Sequence, residues 1–156
     1  MAAWLFNAMR GAAAGIAATI PMSALMVVAQ RVGALGTQPP EAIVDAAFDK
    51  ADVDVDGATL DAAAVVAHVA FGASIGALYG LLRGATAQQG PGKIIGAAYA
   101  VGVWAASYQG WIPAFDALPR ASHDREDRQV TMVLAHVVYG ATLGALTDRT
   151  FDAAHT

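Results

Sequence analysis

Four stretches of this chain contain no Asp, Glu, Lys or Arg: Gly11–Ala29, Ala62–Leu82, Ile94–Phe115 and Val130–Thr147, of 19, 21, 22 and 18 residues. At 1.5 Å rise per residue, about 20 residues cross the ~30 Å hydrocarbon core of a bilayer. Lipid cannot satisfy backbone polar groups, so each stretch is expected to be a helix. Hydrophobic residues make up 56% of the 156 and charged residues only 14%, too few to coat a water-soluble domain of this size. The expected fold is all-α: a polytopic, four-helix transmembrane bundle forming a single domain over 1–156, with the bilayer as its solvent.

The connections sharpen this picture. Residues 30–61 form a long acidic loop in which Pro39-Pro40 opens an amphipathic helix. Ile43, Val44, Ala47 and Phe48 fall on one face, and Glu41, Asp45 and Asp49 on the other. That helix is expected at the membrane surface or against the bundle. Arg83–Lys93 is short, with two cations, no acids and Gly90-Pro91-Gly92 as turn chemistry. The N-terminus has one cation, Arg10, ahead of an uncharged run longer than a signal core, and reads as a retained span. Arg10, Arg83, Lys93 and Arg149 share one side of the bundle with only Asp148 and Asp152. The other side carries five cations and eleven acids. The short basic loop places both termini in the cytoplasm. Trp111 and Phe115 would then anchor the outer interface, and Trp4 and Phe6 the inner one.

An internal repeat accompanies the spans. AHVAFGASIGAL at 67–78 and AHVVYGATLGAL at 135–146 match at eight of twelve positions without a gap. Each lies in the second span of a span–loop–span unit, so the chain reads as two tandem helical hairpins whose second spans run the same way. Steps of four share a helix face. These faces are His68, Gly72, Gly76, Gly80 in one copy and His136, Gly140, Gly144 in the other. Gly11, Gly15, Thr19 and Ser23 make a similar stripe in the first span. Small residues let helices approach closely, which drives association in lipid. The stripes are therefore expected to pack helix on helix, and the protein to act as an accessory or structural subunit that joins itself or a larger membrane complex through these faces. Pro21, mid-span, is expected to kink its helix.

His68 and His136 sit at equal depth, each the seventh residue of its window. An intramembrane ionisable group is expected to face the bundle interior and find a partner. Three readings follow. The imidazoles are structural, bonded to Ser23, Thr19, Ser107 or Tyr108; or they ligate haem b from opposite sides, with glycine one turn on making room for the macrocycle; or they relay protons or admit a small solute. No cofactor is required by the first, and it is the leading reading.

Other motifs are weaker. DVDVDG at 52–57 sets Asp52, Asp54 and Asp56 at calcium-loop spacing, but Ala63 stands where the bidentate Glu belongs. The alternative is an acidic turn with Thr59 or Asp61 capping the next helix. In the third loop, Asp116 and Arg120 are spaced to pair, and Ser122 precedes Asp124, Glu126 and Asp127 as an N-cap would. Cysteine is absent, and no catalytic triad spacing, phosphate loop or HExxH occurs, so the chain is not expected to be an enzyme. A net charge of −4 without a basic stripe argues against nucleic acid.

Pro21-Met22, PPEAI at 39–43, His68-x-x-x-Gly72, SYQGWIP at 107–113 and AHVVYG at 135–140 together resemble the YagU-like family of small prokaryotic integral membrane proteins of unknown function. The resemblance implies a polytopic helical protein of the prokaryotic cell membrane and assigns no catalytic residue.

Overall fold

The computed structural model describes residues 2–86 and 90–152. Its elements are α1 (Ala3–Arg31), α2 (Pro39–Lys50), α3 (Gly57–Thr86), α4 (Gly92–Gln109), the single turn α5 (Trp111–Ala114), a 3₁₀ turn at Ala121–His123, and α6 (Glu126–Asp152). No strand occurs among the described residues. Three helical segments, Ala3–Arg31, Gly57–Ala85 and Glu126–Arg149, are long and apolar enough to cross a membrane. Each encloses one of the uncharged windows.

The third window behaves differently. Instead of one helix over 94–115, α4 stops at Gln109 after 18 residues, and Gly110 breaks the chain at φ −105, ψ −100. Pro113 explains the break. It has no N–H to give the Gln109 carbonyl, and its ring would collide with that oxygen in a continuous helix. Pro21, by contrast, lies inside α1 without ending it.

The helix surfaces depart from the usual soluble pattern. Ala14, Ala18 and Ala135 are buried alongside larger residues such as Met26, Tyr79 and Leu143, while Ile20, Val28, Val65, Val66, Ile94 and Leu134 are exposed. Apolar groups this large on the outside are at home in lipid, where close packing of small residues holds helices together.

Two antiparallel pairs carry that packing. In α1 against α3, a Cβ added to Gly11 would stand 2.9 Å from Gly80 Cα, and one added to Gly15 would stand 3.0 Å from Gly76 Cα. In α4 against α6, a Cβ on Gly96 would stand 3.1 Å from Gly144 Cα, and one on Gly140 would stand 2.7 Å from the Ala100 methyl. α1 also packs along α6. α3 and α6 run parallel, joined at one end by Arg83 Nη2–Asp148 Oδ1 at 2.7 Å and further along by Tyr139 Oη donating to the Gly72 carbonyl at 2.6 Å. Asp148 Oδ2 also accepts the Gly92 N–H at 2.9 Å, tying the start of α4 to the same ion pair. Between α3 and α4 the bridges are tyrosines. Tyr99 Oη donates to Ile75 O at 2.9 Å, Tyr79 Oη to Gly92 O at 3.3 Å, and the two rings lie 5.2 Å apart.

The opposite end is closed by the 32–50 segment. Gly33, at φ 81, reverses the chain after α1, and Ala34 N–H bonds back to Ala29 O at 2.9 Å. Leu35 is then wholly buried. α2 turns Ala42 and Ile43 onto Tyr108, Ile112 and Leu118 and leaves Asp45 and Asp49 exposed. It packs against the bundle and along α3.

Three local expectations are corrected here. The cap of α3 is Asp56, whose Oδ1 accepts the Thr59 N–H at 2.7 Å; neither Thr59 nor Asp61 serves. That bond holds the Asp56 carboxyl below its ordinary value of 3.8. Asp116 pairs with Lys50 at 3.4 Å, across loops, because its φ of 58 aims it away from a helical register with Arg120. Ser122 bonds the neighbouring His123 ring and lies in the 3₁₀ turn, so it does not cap α6.

Candidate functional site

His68 lies one turn before Gly72 on α3, and His136 one turn before Gly140 on α6. Because α3 and α6 run parallel, equal depth in the sequence becomes proximity in space, and both imidazoles line one cavity of about 270 Å³. Met22 and Met26 of α1, Met132 of α6 and Trp104 of α4 complete its inner wall. Pro39, Pro40 and Ile43 of α2 close its end. Phe71 and Trp111 form its outer wall. Their rings are 6.2 Å apart, and each is a little over one-third exposed, so this side is one pair of rings thick. A smaller space of about 30 Å³, bounded by Thr19, Gly72 and Tyr139, adjoins both histidines. Beyond it the bundle is filled by Ala14, Ala18, Tyr79 and Leu143.

The polar atoms are few and mostly committed. His136 Nδ1 lies 2.7 Å from the Met132 carbonyl. A carbonyl only accepts, so Nδ1 carries the proton and, in the neutral ring, Nε2 is a bare acceptor. His68 Nδ1 faces Ser23 Oγ at 3.4 Å, one of the four partners expected. Thr19 donates instead to its own helix at Gly15 O, 2.9 Å away. The Tyr108 hydroxyl donates to the Asp124 carboxylate, beside which Arg128 Nε stands at 3.6 Å. Among the described residues neither histidine has a further hydrogen bond through Nε2, and the Trp104 indole N–H is buried without an acceptor.

The remaining sequence candidates fall elsewhere. Gly11, Gly15, Gly72, Gly76, Gly80, Gly140 and Gly144 all meet backbone or side chains of this same chain, so their faces are not open to a second copy or a larger complex. Gly72 and Gly140 bear on haem. Thr19 and Tyr139 stand over Gly72, and Gly96 and Ala100 over Gly140, where the macrocycle needs room. Asp52, Asp54 and Asp56 lie at the chain turn before α3, and no group of three or more His, Cys, Asp or Glu suited to a metal ion occurs among the described residues. Sequence reasoning missed the three methionines, Trp104 and Tyr139. Only the four-residue spacing of Met22 with Met26, and of Met132 with His136, hinted that they share faces.

No protein-family model, curated protein or solved structure matches this chain. Its chemistry rests on the cavity alone.

Proposed function

We propose that this is a small, non-enzymatic integral membrane protein that holds a lipid-borne molecule in the cavity at His68 and His136. In this reading α1, α3, α4 and α6 all cross the prokaryotic cell membrane as two tandem hairpins, with both termini cytoplasmic. Membership in the YagU-like family is part of the same proposal. The carrying observation is an apolar cavity inside a bundle whose outer surface is apolar too, with imidazole nitrogens left unpartnered on its wall. Such a pocket, apolar with a few convergent polar groups, is the form that small-molecule sites take. The filled core beyond Gly72 and Gly140 favours holding a molecule over conducting one.

Two experiments test this. Because the chain has no cysteine, single substitutions report topology cleanly. Asp54→Cys and Ser122→Cys are expected to react with an impermeant maleimide from outside intact cells, and Ala2→Cys and Lys93→Cys only after lysis. Any other split refutes the topology. In detergent, Trp4→Phe leaves Trp104 and Trp111, both on the cavity, as the fluorophores. Iodobenzene is expected to quench them saturably, and non-saturable quenching overturns the cavity as a binding site.

A further inference from the structure

We infer that the cavity selects a lipophilic molecule bearing a phenol-type hydroxyl, a quinol-like ring whose O–H donates to His136 Nε2. This rests on the cavity being a binding site and adds the class of molecule it takes.

The Met132 carbonyl sets the polarity a ligand must have. By fixing the proton on His136 Nδ1 at 2.7 Å, it leaves Nε2 able only to accept. A ligand that answers it must bring a donor. Trp104, on the same cavity, has a buried indole N–H with no acceptor, and a buried donor left unpaired is costly. A hydroxyl is the smallest group that donates to one and accepts from the other. A carbonyl answers only Trp104, and a hydrocarbon answers neither.

The rest of the wall sets the body of the molecule. Trp104 and Tyr108 are stacked, 5.9 Å apart at 24°, and present flat aromatic surface. A cavity of roughly 150 Å³ accepts benzene, so about 270 Å³ accommodates one ring with several substituents. Among the described residues no carboxylate lines the cavity, and Asp124, beside it, already takes the Tyr108 hydroxyl and stands against Arg128. The wall therefore offers no free counter-charge, and a neutral ligand fits it; a phenol stays neutral at physiological pH. Phe71 and Trp111, each a little over one-third exposed and forming a wall one pair of rings thick, give access from the acyl-chain region.

The test displaces iodobenzene from the Trp4→Phe protein with three molecules that share a trimethylated six-membered ring: trimethylhydroquinone, trimethylbenzoquinone and trimethylbenzene. One net hydrogen bond of about 0.5–1.5 kcal/mol corresponds to roughly threefold to tenfold in affinity. The hydroquinone is expected to bind tighter than the quinone by that factor, and tighter than the hydrocarbon by about its square, roughly tenfold to a hundredfold. His136→Leu is expected to remove the preference over the quinone while trimethylbenzene still binds. Equal affinity of the three for the Trp4→Phe protein overturns the hydroxyl selection, whether or not the histidine variant folds. Preference over the quinone retained in His136→Leu overturns the assigned acceptor. Saturable iodobenzene quenching with no preference leaves the cavity standing and sinks only this inference, whereas loss of saturable quenching sinks both.

Discussion

Adding one methyl group at Gly76 pits two opposing effects against each other. Alanine is a better helix former than glycine by about 0.8–1.0 kcal/mol, so Gly76→Ala gains on propensity alone. Its Cβ, however, would stand 2.8 Å from Gly15 Cα and 3.1 Å from Gly15 N. Carbon atoms rest at about 3.5–4.0 Å, so α1 and α3 must part by about 1 Å, forfeiting a quarter to a half of the contact energy along the seam. Overpacking of this kind costs about 1–3 kcal/mol. At the middle of these ranges the clash wins, and net destabilisation of about 1 kcal/mol is expected, or a melting temperature lower by about 2–4 °C for a chain of this size. Gly102→Ala is the control. Gly102, within α4, is exposed, and a Cβ there meets nothing within 4 Å, so only the propensity gain remains. Circular-dichroism melts of both variants in the same detergent decide the matter. If Gly76→Ala melts at or above the parent, or alongside Gly102→Ala, the close-packed seam is wrong.

Other perturbations read other parts of the structure. Asp148→Ala leaves Arg83, whose side chain is 9% exposed, without this carboxylate. A loss of about 2–4 kcal/mol in detergent unfolding is expected, with much of it recovered in Arg83→Met/Asp148→Leu. Leu35→Ala empties a fully buried site under the α1–α2 turn and is expected to cost about 2–4 kcal/mol, read as a lower melting temperature. Asp56 has a folded value below its ordinary 3.8, so its cap stabilises α3 above that pH and is lost as pH falls through the lowered value. Melts of the parent and Asp56→Ala are therefore expected to differ at neutral pH and converge on acidification.

Much of the scaffold was legible because lipid imposes a simple rule. A run of about 20 uncharged residues has few alternatives to a helix, and the windows at 11–29, 62–82 and 130–147 lie inside α1, α3 and α6. The third window misled because charge was the only criterion. Gly110 and Pro113 carry none, yet together they end α4. That His68 and His136 come together was legible too, since the repeat set them in the same register of two parallel helices. What surrounds them was not. Whether Met22, Met26, Met132 and Trp104 share a cavity depends on how α1, α4 and α6 rotate about their axes. That rotation is set by contacts such as Gly92 and Gly96 against α6, which the repeat did not mark. Glycine stripes alone also could not say whether their partner was this chain or another.

The seams of the bundle are unequal. α1–α3 and α4–α6 are shut by backbone contact, α1 lies along α6, and α3–α4 is held by tyrosine hydroxyls reaching across. The molecule thus resembles a book, with its spine along α1 and α6 and its fore-edge along α3 and α4. In the four-span arrangement proposed above, lateral pressure from acyl chains would bear on that fore-edge, where the fewest atoms resist it. The pocket's compliance is then set as much by the fluidity of the bilayer as by the protein, and tightly ordered lipid keeps the covers closed.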